Sequence, residues 1–477
     1  MRPVRDGGAG IGSNITGMND RFHRFREFHR EFNYTGVSLQ PEADHLRIEF
    51  AFDIDDRIHF RPSLRIPAPA GGWKIDPAGP LAARMAFCIG MVEVASYWKT
   101  YCPPRLNILA GALSGAESAW WRNLYYHGLG EFFYRNGIET TPVDFVSIHA
   151  PDSSPPAAGR IGGGGRKLIP VGGGKDSIVT LELLREEREN SDVLLVKAPR
   201  AARECAEIAG FPPGQIIEVA RVLDPQLLAL NAEGALNGHT PFSALLAFVS
   251  LLTAALSGDS SIVLSNESSA NEPTVHGSEV NHQYSKSFAF EQDFRRYVRE
   301  YLTPDIDYFS LLRPINELQI AALLAEHPVY FPVFRSCNAG SREGVWCGHC
   351  GKCMFTYLML QPFCSSEVLE EIFGRNLLDD PALEGTLLEL MGCSAAKPFD
   401  CVGTVEEVRA ALSLALTHPA RGHARGRLLE VVRTQHAGMM LSRDAALALP
   451  REWNGNHNLP PEYERRLRAT ALFRTGS

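Results

Sequence analysis

The stretch KLIPVGGGKDSIVTLELL, Lys167 to Leu184, decides how the chain is read. An apolar run, Leu168 to Val171, meets three glycines; Lys175, Asp176 and Ser177 follow, and then apolar residues at helical spacing. A strand, a glycine turn and a helix N-terminus in that order predict an anion site, where consecutive N–H groups point outward and the helix dipole adds partial positive charge. Gly172, Gly173 and Gly174 let the backbone approach the anion, Lys175 supplies charge, and the Ser177 hydroxyl donates a hydrogen bond. A Walker A loop is excluded, because it needs Gly where Ile169 stands and Ser or Thr where Asp176 stands. A Rossmann dinucleotide site is also unsupported, for want of its glycine fingerprint and paired acid.

Outward from this stretch, strand-like and helix-like runs alternate. LIPV (168–171) leads to a helix at about 177–190, VLLVK (193–197) to a helix near 200–209, and IIEVA (216–220) to an apolar helix that ends before SIVLS (261–265). This alternation predicts α/β architecture with a parallel, doubly wound sheet. The helix before SIVLS, Pro241 to Ser257, carries no charge in 17 residues and borders on membrane-span length. It is read as a buried helix covering a parallel sheet, not as a membrane span.

With 477 residues the chain exceeds one ordinary core. Pro and Gly in APDSSPPAAGRIGGGGRK, Ala150 to Lys167, mark a linker. The expected organisation is an N-terminal α+β domain over 1–150, a linker over 151–166, an anion-binding domain over 167–370 and a helical C-terminal region over 371–477. In the first part, LRIEFAFDI (46–54) alternates like a strand, and WWRNLYYHGLGEFFY, Trp120 to Tyr134, is a helical aromatic block suited to a core or domain interface. The formal net charge of −8, from 47 basic and 55 acidic residues, argues against nucleic acid as the main partner. The N-terminal stretch has basic residues without an apolar signal core, so cytoplasmic residence is expected.

SCNAGSREGVWCGHCGKCMF holds Cys337, Cys347, Cys350 and Cys353 at C-x9-C-x2-C-x2-C spacing. Four thiolates so placed can close around a soft ion, which reads as structural zinc, with an iron–sulfur cluster as the alternative. Cys88, Cys102, Cys205, Cys364, Cys393 and Cys401 are scattered, and the ordinary reading for each is a buried apolar thiol.

GGGKDS resembles the SGGxDS signature of the PP-loop ATP pyrophosphatases. That resemblance implies an adenine-nucleotide alpha-hydrolase-like fold over 167–370 and ATP on the loop, with Gly172 standing where the signature has Ser. The aromatic block with GLGEFFYRNGI, the central GGGKDS, the segment EVNHQYSKSFAFE and then CGHCGKC together resemble the UDP-N-acetylmuramoyl-L-alanyl-L-glutamate epimerase family. Such enzymes invert the terminal L-Glu of a peptidoglycan precursor to D-Glu, using ATP and magnesium and releasing AMP and pyrophosphate. The implied substrate is therefore a UDP-linked muramyl dipeptide. A PP-loop ligase or sulfur transferase acting on a nucleobase or tRNA is the alternative.

The implied chemistry is coherent. An α-proton beside an ionised carboxylate is barely acidic, whereas an acyl-adenylate offers an electron-poor carbonyl that can carry the charge as an enolate. A base on one face and an acid on the other then complete inversion. Candidates for proton transfer lie in NGHTPF and EVNHQYSKS: His239, Glu279, His282, Tyr284 and Lys286. Lys175, Asp176 and Ser177 are assigned to ATP, with Asp176 reaching magnesium through water. Glu267 and Glu272 follow the SIVLS strand, where ligands gather at the carboxyl ends of parallel strands.

Overall fold

A computed structural model describes residues 11–151, 158–162, 164–197, 199–337, 339–340, 343–417, 426–470 and 472–473. Much of the expected linker (152–157 and 163) and the first ten residues lie outside the described residues.

The molecule is mixed α/β around one 11-stranded sheet. Its strands are β1 (Glu31–Pro41), β2 (His45–Ile54), β3 (Ile58–Phe60), β4 (Ser63–Pro67), β5 (Arg105–Ile108), β6 (Ser147–His149), β7 (Arg166–Pro170), β8 (Ser191–Val196), β9 (Ile216–Val222), β10 (Asp259–Leu264) and β11 (Asp307–Ser310). Their order is β11-β10-β7-β8-β9-β4-β2-β1-β5-β6, with β3 paired to β2. Every pair from β11 to β9 is parallel. The two halves meet where β4 and β9 run antiparallel, with Leu64 opposite Arg221.

Alternation of side chains across this sheet sorts the core into two layers. Leu168, Leu194, Ile217, Ile262 and Leu264 face a cluster built with the N-terminal half. Ile169, Val193, Leu195, Ile216 and Val263 face a second cluster built with the C-terminal helices. Both faces of the parallel strands are thus covered, which explains their continuous apolar runs. The C-terminal region, whose role the sequence leaves unread, roofs one face.

Helix Lys175–Leu183 is shorter than expected, because the charged run REEREN continues as a 3-10 segment, Arg185–Asn190. Helix Phe242–Ser257 is nearly all buried. It packs against helix Pro80–Trp98, which is long and apolar enough to cross a membrane but 89% buried within the fold. Trp121 stacks on Phe248 at 5.2 Å and its indole N–H donates to the Tyr297 hydroxyl at 3.1 Å. The aromatic block therefore joins the N-terminal half to the parallel strands.

Candidate active site

Strand order reverses between β7 and β10, since β8 and β9 extend the sheet on one side and β11 on the other. A crevice must open beyond the carboxyl ends at such a point. There a cleft of about 440 Å³ is lined by Gly172, Gly174, Asp176 and Ser177 after β7, and by Ser265, Asn266 and Glu267 after β10.

The loop geometry follows from its glycines. Gly173 has φ +81°, and a Cβ there would lie 2.6 Å from the Ala202 amide nitrogen. Beside Gly172 the same atom would meet nothing within 4 Å. The Ser177 hydroxyl accepts from the Gly173 N–H at 3.2 Å and donates to the Gly174 carbonyl at 2.9 Å, bracing the turn. Helix Lys175–Leu183 starts at Gly174 without a side-chain cap, so the amides of its first turn are left for a ligand.

Of the residues singled out from sequence, His239, His282 and Lys286 join the loop in this cleft. Lys175 does not line it; the side chain is buried, ion-paired to Asp176 and Glu317. Glu279 lines a separate cleft with Tyr126, His127 and Tyr134. Tyr284 stacks on His127 at 4.9 Å and accepts from the Asn123 amide at 3.1 Å. Glu267 lines the main cleft, whereas Glu272 pairs with Lys397 at 2.8 Å.

Two residues of this cluster are not apparent from sequence. Glu131, from the aromatic block, lies 2.5 Å from His282 Nδ1 and 3.6 Å from His239 Nδ1. In the sequence Glu131 stands four residues after His127, a spacing that suits two ligands on one helix face, but its partners are the two distant histidines. Cys401 lines the cleft with His282 and Lys286 and interacts electrostatically with both, so it is not an ordinary core thiol.

The electrostatics separate the two histidines. Burial alone would depress His282, but the Cys401 and Glu131 partners carry its pKa up to about 9. Burial and the neighbouring His282 instead push His239 down to about 4, against the pull of Glu131. Burial and the Asp176 carboxylate push Glu267 up, opposed by Lys286, Lys175 and Arg313. A cation would relieve that crowding of carboxylates.

Beneath the cleft, the fully buried Arg313 donates to the Glu267 carbonyl at 2.6 Å and to the Lys286 carbonyl at 2.6 Å. Glu291 balances it at 3.2 Å and is itself held by Asn458 at 2.8 Å. The extreme C-terminal part of the fold thereby helps fix two cleft segments.

The four motif cysteines converge at the cleft margin, where Cys337 also lines the cavity. Their sulfurs lie 3.8 Å (Cys337–Cys350), 3.7 Å (Cys347–Cys353) and 3.5 Å (Cys350–Cys353) apart. A tetrahedron with metal–sulfur bonds of about 2.3 Å has edges near 3.8 Å, so the donor set fits a single tetrahedral ion.

An open crevice at the switch point, furnished with a phosphate-suited loop and paired acid–base side chains, is the equipment of an α/β enzyme. Comparison with known proteins narrows this to one lineage: the chain belongs to the MurL family, whose N-terminal domain model matches residues 24–311 and whose C-terminal domain model matches residues 333–445. The UDP-N-acetyl-alpha-D-muramoyl-L-alanyl-L-glutamate epimerase of Xanthomonas oryzae pv. oryzae is 34% identical over 453 residues, covering 92% of this chain and 97% of the relative. Enzymes of the same name from Salinispora tropica and a Micromonospora species are 37% and 36% identical, covering 76% and 80% of this chain and 79% and 86% of their own lengths. No solved structure matches the chain.

Proposed function

We propose that the protein is an ATP-dependent epimerase that inverts the terminal L-Glu of UDP-MurNAc-L-Ala-L-Glu to D-Glu in the supply of peptidoglycan precursors. The observation that carries this reading is the meeting, in one cleft, of the glycine loop with the His239, His282 and Lys286 cluster. A loop for nucleotide phosphates beside groups suited to moving protons is what carboxylate activation followed by inversion requires.

ATP supplies the adenylyl group that turns the glutamyl carboxylate into an acyl-adenylate, with release of pyrophosphate. On a PP-loop-like reading of the fold, Gly172, Gly173 and Gly174 admit the phosphates to the backbone amides, and the helix N-terminus at Lys175 adds its dipole. Asp176 and Glu267 would hold magnesium, a reading supported by the crowding of carboxylates that raises Glu267. Lys286 and Lys352, both lining the cleft, face the charge that develops on the acyl oxygen. The Cys337, Cys347, Cys350 and Cys353 set holds structural zinc, pinning the segment that carries Cys337 and Lys352 against the cleft. Cytoplasmic residence accords with ten cysteines that form no disulfide.

The test is incubation with magnesium, ATP and UDP-MurNAc-L-Ala-L-Glu in deuterated water, followed by hydrolysis and analysis of the glutamate. Deuterated D-Glu formed together with AMP is the expected result. AMP without D-Glu would move the protein to the PP-loop ligases, and D-Glu formed without ATP would remove adenylation from the mechanism.

A further inference from the structure

The cleft holds one nucleophilic side chain that the reading above leaves unused. We propose that Cys401 is a catalytic residue of the inversion, taking or returning the α-proton on one face of the activated glutamyl residue. This assignment rests on the proposed epimerase function.

The geometry is a chain of three. Glu131 binds His282 Nδ1 at 2.5 Å, and the same histidine lines the cleft with Cys401 and interacts with it electrostatically, so a carboxylate orients a histidine that shares its wall with a thiol. That is the relation by which a nucleophile, its base and an orienting acid are recognised. The other charged groups acting on the thiol are cationic: Lys286, and Lys352 on helix Gly351–Leu360, both of which line the same cleft. All of these except Glu131 line the cleft, so the thiol stands where substrate must pass.

The setting favours the thiolate. Burial would raise the thiol, but Lys286, His282 and Lys352 hold it well below its ordinary value. Burial prevails instead at Cys88, pushed up to about 11 against the pull of Arg84, and at Cys205, pushed up to about 12 against that of Arg335. Only Cys401, among the scattered cysteines, therefore combines access to the cleft with a charge environment suited to proton transfer.

In the forward step the thiolate accepts the α-hydrogen as a proton and becomes a thiol. The C–H bonding pair forms the Cα–C double bond while the carbonyl π pair moves onto the acyl oxygen. An acid across the cleft then protonates the opposite face of Cα as those electrons return. The enzyme is restored when the thiol loses its proton to solvent and the opposite group regains one.

The experiment uses full-length Cys401→Ser and Cys401→Ala with magnesium and ATP in deuterated water, starting separately from the L-Glu and D-Glu forms of the substrate. Expected are a native melting profile, AMP release within about tenfold of wild type, and epimerisation lowered by at least about 100-fold. The diagnostic result is asymmetric: α-deuterium enters one enantiomer without inversion, because the group on the other face still exchanges its proton. Epimerisation within tenfold of wild type would overturn the assignment, as would parallel loss of AMP release and of exchange from both enantiomers. Should the variants misfold, iodoacetamide labelling of wild type with peptide mapping decides the matter. Cys401 must react at pH 7 faster than a free thiol, with matching loss of inversion; slower reaction overturns the proposal. Wild type that makes no D-Glu would instead overturn the function reading, and this assignment with it.

Discussion

Lys175 and Glu317 are ion-paired beneath the glycine loop, each less than 5% exposed, so the lysine of GGGKDS is directed into the core and away from the cleft. Burial pushes Glu317 well up against the pull of Lys175, whereas at Lys175 burial is outweighed by Asp176 and Glu317, which raise it. The pair anchors the loop to helix Glu317–Ala325. Removing one member of a buried pair strands the other, at about 3–5 kcal/mol. Lys175→Met is therefore expected to lower unfolding stability by that amount, with much of it restored in Lys175→Met/Glu317→Gln. A denaturant series on the three proteins checks this; an unchanged midpoint for Lys175→Met would show that the pair is energetically silent.

Adjacent glycines in the loop should respond in opposite ways. Gly173→Ala forces a left-handed backbone on a residue with a Cβ and drives that atom against Ala201 and Ala202, so the loop must move. A shift of about 1 Å at a reacting centre costs on the order of 100-fold in rate, and ATP turnover should fall by at least that much. Gly172→Ser enters open space and should retain turnover within a few-fold. Comparing kcat/KM for ATP in the two variants tests the loop geometry.

The raised pKa of His282, which Cys401 and Glu131 sustain against burial, predicts a pH-dependent share of stability. The folded pKa of about 9 lies above the ordinary histidine value near 6.5, so the stabilisation is fully present below pH ~6.5 and is lost as pH rises through about 9. Glu131→Gln removes the principal N-terminal-half partner, and its stability deficit relative to wild type should be largest near pH 6 and shrink by pH 10. His239 has the reverse sign: its folded value of about 4 means its contribution is present above pH ~6.5 and lost on acidification toward 4. Urea midpoints across pH 5–10, with histidine NMR titrations, distinguish the two.

For the cysteine cluster, Cys350→Ala is expected to carry no zinc and to melt at lower temperature, because metal binding at a closed thiolate site adds to folding free energy. Elemental analysis should find one zinc per wild-type chain, and a strong chelator should lower the wild-type Tm without affecting the variant. Iron with visible absorption in place of zinc would replace the ion while leaving the donor set.

The buried clamp below the cleft makes a separate demand. Arg313→Lys keeps the charge but cannot span both the Glu267 and Lys286 carbonyls with a planar fork. A large fall in kcat with substrate binding little changed is expected, although Arg313 does not line the cleft. Normal kinetics would show that Glu291 and its neighbours suffice to hold the cleft.

What could be read beforehand was local. The glycine turn, the apolar runs of β7 to β10 and the cysteine spacing each lie within one short segment, where periodicity and turn chemistry act directly. His239, His282 and Lys286 were visible as dense polar stretches, but those stretches held Glu279 and Tyr284 equally, and only the fold separates them. Glu131 meets His282 across 151 residues, and no local pattern encodes that approach. Cys401 looked ordinary because what distinguishes it is supplied by Lys286, His282 and Lys352 from elsewhere in the chain. The β4–β9 pairing was hidden for the same reason: each strand reads alone as an unremarkable alternation.

That pairing bears on how the protein is made. β4 leaves the ribosome about 150 residues before β9, so for roughly 8 to 30 s of synthesis it presents an unfilled row of amides and carbonyls. A bare strand border of that kind recruits any passing strand. The nascent chain thus depends on its shielding until β9 arrives. Fragments severed between the halves would each inherit a sticky border, and should accumulate as aggregates when expressed apart yet recover solubility when produced together.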